Sequence, residues 1–172
     1  MLDLMTLSLK NETLELLIVR VAEVQLAIRS SSIKRLENFR LKALNKVDKI
    51  GHPALLGYIS PNFTAVFDLA RLLKLETPGS ANEPDETGKK ESQLLQIEYK
   101  SYLAGFVVDQ AQEVVRVNLA ELDVLPSVVE KARLRPAAWA LWRKDEQEIL
   151  ILIEPTEAIS AEEWEQLNRQ ET

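Results

Sequence analysis

The stretch LAGFVVDQAQEVVRV, residues 103–117, decides the fold class. Its first apolar run ends at Val108, and beyond Asp109 apolar and polar residues alternate as far as Val117, except at Gln112–Glu113 and Val114–Val115. Short apolar runs and two-residue alternation are typical of β-strands, whereas an amphipathic helix repeats its apolar residues every three to four positions. Because similar patterns dominate the rest of the chain, we predict a mostly β protein with only short helices.

The strand pattern occurs twice along the chain, at a spacing of roughly 80 residues that is far longer than a solenoid period. Each copy also ends with a Pro-Ala pair, a hairpin and an acidic residue. The matching segments are Leu16–Val19 with Leu94–Ile97, Val24–Ile28 with Tyr102–Val107, Ile33–Leu36 with Val114–Val117, and Pro53–Leu69 with Pro136–Pro155. We therefore predict two similar small β units within one domain of residues 1–172.

Three segments are predicted to differ from strands. Ser30–Ser32 offer hydroxyls for a helix N-cap, which predicts a short helix over Ile33–Phe39. Residues 76–92 contain one apolar residue and are predicted to form a flexible loop. The C-terminal segment 160–172 is predicted to be helical, with Ser160 and Glu163 as a capping box.

The composition excludes several classes of protein. The chain of 172 residues has a net charge of −6, which argues against a protein that neutralises nucleic-acid phosphates. It has no cysteine, so disulfides and thiolate catalysis are excluded. No apolar run reaches the roughly 18 residues of a spanning helix, and Met1–Lys10 lacks the basic start of a secretory signal. We expect a cytoplasmic protein without direct membrane insertion.

Candidate chemical groups are few. His52 is the only histidine and the five glycines form no phosphate-binding cluster, so no metal, cofactor or nucleotide is predicted. Asp68 and Asp109 could serve as paired carboxylates. Both follow predicted strands, however, where capping a turn is the expected role. A small-molecule enzyme is therefore only a remote alternative.

Residues 34–49 are rich in lysine and arginine. Because the chain as a whole is acidic, these residues are most simply interpreted as a solvent-exposed face. Two alternatives are a contact with nucleic acid or anionic lipid, and a basic rim that steers an acidic partner. Trp139 and Trp142 lie in one predicted strand at positions of opposite parity. One of them should therefore face the core and the other should face outward as a possible partner anchor.

Three stretches resemble the CheW-like family of chemotaxis coupling proteins. The most specific is Leu103–Val117, which is similar to the family pattern hGhhVDxVxEVhxh, where h is an apolar residue. Pro53–Leu69 resembles the family's P…hGhh…hhPVhDL hairpin, and Ile149–Glu154 resembles its closing strand. The order and spacing of the three agree with the family over roughly residues 14–159.

The resemblance implies two SH3-like five-stranded β-barrels packed around a shared apolar core, with a cleft between them. It also implies a non-enzymatic adaptor without a cofactor. Such an adaptor couples the cytoplasmic tip of a chemoreceptor to the regulatory domain of a CheA-type histidine kinase, through apolar anchors and strand edges. No nucleic acid is expected among its partners.

The tip of the first hairpin departs from the family pattern. The family carries Asn-Leu-Arg-Gly there, whereas this chain has the shorter Ser60-Pro61-Asn62 without an arginine. The alternative is therefore a divergent member with altered partner contacts that serves pilus or phototaxis signalling. Partner binding is predicted at the hairpin and at the segment after the serine run, through Leu36, Phe39, Tyr58, Ile59, Asn62 and Phe63.

Overall fold

The computed structural model describes residues 12–40, 54–59, 64–75, 91–125 and 137–169. The elements in these residues confirm the mostly β prediction. The strands are β1 (Thr13–Val21), β2 (Val24–Arg29), β3 (Ile33–Phe39), β4 (Leu55–Ile59), β5 (Thr64–Asp68), β6 (Ser92–Tyr99), β7 (Tyr102–Val108), β8 (Gln110–Asn118), β9 (Leu122–Asp123), β10 (Ala138–Arg143) and β11 (Ile149–Ile153). The helices are α1 (Leu69–Leu72) and α2 (Ala161–Arg169), and 3₁₀ turns cover Ser30–Ser32, Leu119–Glu121 and Pro155–Ala158.

The strands form two sheets. The first sheet has the order β8-β1-β2-β11-β10-β9, and the second has the order β3-β6-β7-β5-β4. The second has the predicted five strands, and the first has a sixth because the two-residue β9 pairs with β10. Each sheet takes strands from both halves of the sequence. In the first sheet β1 and β2 of the first half pair with β8 and β11 of the second half. In the second sheet β6 and β7 of the second half pair with β3 and β5 of the first half.

The strand registers repeat between the two halves, and they match Leu16–Val19 with Leu94–Ile97 as the sequence predicts. The predicted match of Ile33–Leu36 with Val114–Val117 is shifted by three residues, because Leu36 corresponds to Val114. Leu17 pairs with Val114 in the first sheet, and the matching residues Leu95 and Leu36 pair in the second. Both ladders shift register at a β-bulge in the same place. The closing hairpins also match, because the Asp68 N–H donates to the Ala54 carbonyl and the Glu154 N–H donates to the Ala137 carbonyl, both at 2.9 Å. The two units therefore share one backbone design.

The first sheet is rolled up. β8 and β9 lie at its opposite edges, which would be roughly 24 Å apart in a flat sheet because strands are spaced by about 4.8 Å. Only Leu119–Glu121 join them, and a chain extends at most about 3.5 Å per residue. Across the rolled sheet, the Lys144 ammonium beyond β10 donates to Glu113 on β8 at 2.6 Å. This curvature matches an SH3-like barrel.

Three apolar clusters hold the fold together. Each sheet has one cluster on the face that points away from the other sheet, around Leu16 and Leu152 in the first and around Val66 and Leu94 in the second. The largest lies between the sheets, and we call it the shared core; it includes Leu17, Leu26, Ile28, Phe67, Leu95 and Phe106. Burial of this apolar area is the main favourable term that joins the two units.

Helix α2 closes one side of the shared core. The capping box predicted from the sequence is present: the Glu163 N–H donates to Ser160 Oγ at 3.2 Å, and the Ser160 N–H donates to Glu163 Oε1 at 3.1 Å. Trp164 and Leu167 are buried in the shared core. The Trp164 ring stacks on Tyr99 with a centroid distance of 4.8 Å, which ties the C-terminal segment to the second sheet.

The helix predicted over Ile33–Phe39 is wrong, because these residues form β3. Their backbone hydrogen bonds go to β6, and tertiary pairing of this kind overrides a local capping signal. The serine run forms only a single 3₁₀ turn between β2 and β3. The tryptophan prediction is confirmed and resolved, since Trp142 is buried inside the first sheet and Trp139 is 37% exposed.

Candidate partner-binding site

Strands β3 and β8 are edge strands. Among the described residues, each pairs on one side only, β3 with β6 and β8 with β1. Each carries one exposed apolar side chain near its middle: Leu36 is 42% exposed on β3, and Val114 is 59% exposed on β8. We call these two positions the edge sites. Single exposed apolar side chains are common on protein surfaces, but on an unpaired edge they lie beside backbone groups that are available to pair with another chain.

The edge sites border the shared core. The cross-strand neighbour of Leu36 is Leu95, and that of Val114 is Leu17; both neighbours are buried in the shared core. Directly paired residues point to the same face of a sheet, so both edge sites lie on the faces that enclose this core. They also occupy matching positions of the repeat. A partner that contacts both sites would therefore meet two similar apolar surfaces.

The charges around the edge sites are largely neutralised within the protein. On the β3 side, Lys34 pairs with Glu98 at 3.4 Å and Arg35 pairs with Glu37 at 3.3 Å. On the β8 side, Arg116 pairs with Glu15 at 3.2 Å. Such exposed pairs contribute little stability, but they leave no strong field of one sign. The remaining lysines of the basic stretch, at positions 42, 46 and 49, lie outside the described residues.

On the β8 side the pKa of one group is perturbed. Lys144 donates its hydrogen bond to Glu113, and this bond, with the nearby carboxylate charges, raises the pKa of the ammonium above its usual value. Glu148 adds a second contact at 3.8 Å. The pair links the β10–β11 turn to the β8 edge and so supports the curvature of the first sheet.

The residues predicted to bind a partner fall into three groups. Leu36 is exposed and Ile59, at the end of β4, is half-buried. Phe39 and Tyr58 are buried, at 5% and 4% exposure. Asn62 and Phe63 lie outside the described residues, as does His52.

Val114 was missed by the sequence reasoning, because in an alternating strand it resembles a core residue. The repeat in the sequence matched Val114 with Ile33, and only the strand registers match it with Leu36.

The two aspartates considered for catalysis serve as caps, as expected. Asp68 Oδ1 accepts a hydrogen bond from the Ala70 N–H at 3.0 Å and so caps α1. Asp109 Oδ2 accepts one from the Ala22 N–H at 2.9 Å, in the turn between β1 and β2. The aspartate of the Leu103–Val117 stretch, from the second half of the sequence, therefore hydrogen-bonds to the β1–β2 turn of the first half. In the part of the chain that the structure describes, no three potential metal ligands come together.

The arrangement of two rolled sheets around a shared core can be compared with known proteins. A sequence profile described as the CheW-like domain matches residues 15–163. The chain belongs to the CheW-like family. The fold is also similar to the crystal structure of the scaffolding protein TtCheW from Thermoanaerobacter tengcongensis, with a TM-score of 0.66 and 14% identity over 83% of this chain and 90% of that one. No curated protein matches the sequence.

Membership of the CheW-like family gives the general function. The chain is a non-enzymatic scaffold of the chemotaxis coupling type, and its partners are signalling proteins. Its function therefore depends on surfaces that bind other proteins. Within the described residues, no helix is long and apolar enough to cross a membrane.

Proposed function

We propose that this CheW-like protein is a cytoplasmic adaptor that couples the helical tip of a chemoreceptor to the regulatory domain of a CheA-type histidine kinase. One observation carries the proposal: Leu36 and Val114 are exposed at matching positions on two edge strands that border the shared core. The adaptor has no chemistry of its own, so it acts on the kinase by holding it in place and shifting its populated states.

The receptor tip is assigned to the edge sites. A helical hairpin presents apolar ridges at regular spacing, and two such ridges fit two separated apolar anchors better than one flat patch. The charges beside the anchors are paired within the protein, so binding depends on apolar burial more than on long-range attraction. Two anchors bury little area, which predicts a weak contact that gains strength through repetition in an array.

The kinase domain is assigned to the β4–β5 hairpin. Ile59 ends β4 and is half-buried, and the predicted contact residues Asn62 and Phe63 follow it in the sequence. Phe39 and Tyr58 support these surfaces from inside, because Phe39 packs in the interior of the second sheet and Tyr58 packs in the shared core. Without the family arginine, this contact relies on apolar side chains, and we expect its salt dependence to be low.

Titration calorimetry tests both assignments. The purified chain is titrated with the regulatory domain of a CheA-type kinase and with a receptor hairpin, both encoded in the same genome. Leu36→Ser and Val114→Ser should each weaken receptor binding about tenfold, equivalent to about 1.4 kcal/mol, and the double variant should weaken it further. Kinase-domain binding should be unchanged by either variant.

The matched control is Ile149→Ser. Ile149 is an apolar strand residue that is 55% exposed, but it lies on β11 and not on an edge strand. If this control weakens receptor binding as much as the edge variants do, the edge sites are not the contact. If neither partner binds the unmodified chain, the coupling proposal is wrong, and the protein is a scaffold for other signalling partners.

A further inference from the structure

A shallow polar groove of about 460 Å³ opens where the chain crosses from β2 to β3. The Ser30–Ser32 turn forms one wall and the turn between β6 and β7 forms the other. The residues that matter here are Arg29, Ser31, Ser32, Lys34, Lys100 and Glu154.

The repeat supplies a reference for the groove. At the matching place of the repeat, the chain crosses from β7 in the second sheet to β8 in the first sheet at Asp109. The Asp109 carboxylate accepts the Ala22 N–H at 2.9 Å, and the Asp109 N–H donates to the Arg20 carbonyl. The registers that align Leu36 with Val114 also align Ser31 with Asp109 and Lys100 with Ala22. The groove is therefore the counterpart of the Asp109 contact, with a short hydroxyl where the carboxylate stands.

The two turns have the same backbone conformation. Ala22 and Glu23 have φ angles of 48° and 68°, and Lys100 and Ser101 have φ angles of 45° and 71°. The two turns are therefore alike in their backbone, although the segments beside them differ: Ser30–Ser32 form a 3₁₀ turn, whereas Asp109 alone joins β7 to β8. The Ala22 N–H has a carboxylate acceptor, whereas among the described residues no side chain accepts the Lys100 N–H. A donor is thus presented toward an open groove.

The charges that face the groove leave a cation unpaired. Three carboxylates line it, and two are neutralised: Glu98 by Lys34 at 3.4 Å, and Glu154 by Arg29 at 3.5 Å with a further bond from Ser32 at 3.1 Å. The third, Glu157, is exposed and has no cationic partner among the described residues, so Glu157 and one lysine are the unpaired charges of the groove.

Lys100 has no carboxylate partner among the described residues, and its ammonium lies 5.3 Å from the centre of the Tyr99 ring. Arg29 Nε is buried without a hydrogen-bond partner, so the guanidinium could turn toward an anion without losing a bond from Nε.

We propose that the polar groove binds one carboxylate of an acidic side chain on a protein partner, in the position that Asp109 holds in the other unit. The Lys100 N–H, the Ser31 hydroxyl and the Lys100 ammonium are its donors, and bonds from N–H and N⁺–H groups to a carboxylate are stronger than neutral ones. The groove is open, so a single carboxylate binds weakly and serves as a specificity contact of a larger interface. The groove adjoins the β3 edge site, since Lys34 and Glu98 line it and also flank Leu36, but its proposed ligand does not depend on the coupling function.

Amide NMR of the ¹⁵N-labelled full chain tests the proposal. The probe is the blocked tripeptide acetyl-Gly-Asp-Gly-amide, and the reference is the same peptide with Asn. The Asp peptide should shift the Lys100 and Ser101 amide signals in a saturable way, with an affinity at least about tenfold higher than that of the Asn peptide. The amide of Lys74, an exposed lysine that also has a positive φ of 56°, should not move.

Two variants make the outcome decisive. Ser31→Asp should remove the response of Lys100, because the introduced carboxylate takes the place of the peptide. Asp109→Ser should create a new response at Ala22, because it empties the matching position. Equal shifts with both peptides, a shift of Lys74 as large as that of Lys100, no saturable shift, or a response that survives Ser31→Asp would each overturn the proposal.

Discussion

Asp109→Ala should destabilise the protein although Asp109 lies outside the apolar core. Its carboxylate accepts the Ala22 N–H at 2.9 Å, and the site is half-buried. A hydrogen bond to a charged group contributes about 1.5–3 kcal/mol, and partial access of water to the N–H favours the lower end. We expect a loss of about 1.5 kcal/mol. For a chain of this length the melting temperature should fall by about 3–6 °C.

The assay is urea unfolding followed by circular dichroism, with the slope m held in common. With m of about 2 kcal/mol/M, the midpoint should fall by about 0.7 M. Asp109→Asn keeps an oxygen acceptor and should lose about half as much. Ser31→Ala is the matched control, because Ser31 has the same place in the repeat and accepts no turn N–H; its change should stay within about 0.5 kcal/mol. Equal losses for Asp109→Ala and Ser31→Ala would refute the reasoning.

Three further predictions concern the fold. Gly105→Val should cost about 1–3 kcal/mol in unfolding free energy, since a Cβ there would lie 2.8 Å from Leu94 Cδ1; a melting temperature equal to that of the wild type would contradict this. Trp164→Ala should lower the free energy of unfolding by about 3 kcal/mol and expose the Tyr99 ring, as measured by denaturation and by tyrosine fluorescence. Gln166→Ala, on the exposed face of α2, should change neither quantity. The pKa of Lys144 is raised in the folded state, so its ion pair with Glu113 stabilises the fold at neutral pH, and this stabilisation is lost as the pH rises above 10.5. The difference in melting temperature between the wild type and Lys144→Met should therefore be smaller at about pH 11 than at about pH 8. An equal difference at the two pH values would contradict this.

The strands could be predicted from the sequence because their alternation is local. The repeat was visible for the same reason, and the matching bulges and closing hydrogen bonds bear it out. β3 was mistaken for a helix because its signals conflict: three serines suggest an N-cap, and the bulge near Ile33 breaks the two-residue period. Pairing with β6 decides that this segment is a strand and not a helix, and β6 lies far away in the sequence.

The candidate site was harder to predict than the fold. Leu36 was named from the sequence, but Phe39, three residues later, is buried because its side chain points into the second sheet. Exposure of Val114 depends on β8 being the last strand of its sheet, and strand order is a property of the whole chain. Sequence alternation gives the face of a residue but not its distance from an edge.

The exchange of strands between the sheets bears on how such a protein could have arisen. A shorter ancestor with a single unit would hold two strands of one sheet and the remaining strands of the other, so neither sheet would be complete. Two copies would satisfy each other only as a symmetric, strand-swapped dimer. Joining two such genes end to end would turn an association that depends on concentration into an intramolecular one. The two halves would then be free to diverge, as Ser31 and Asp109 have done.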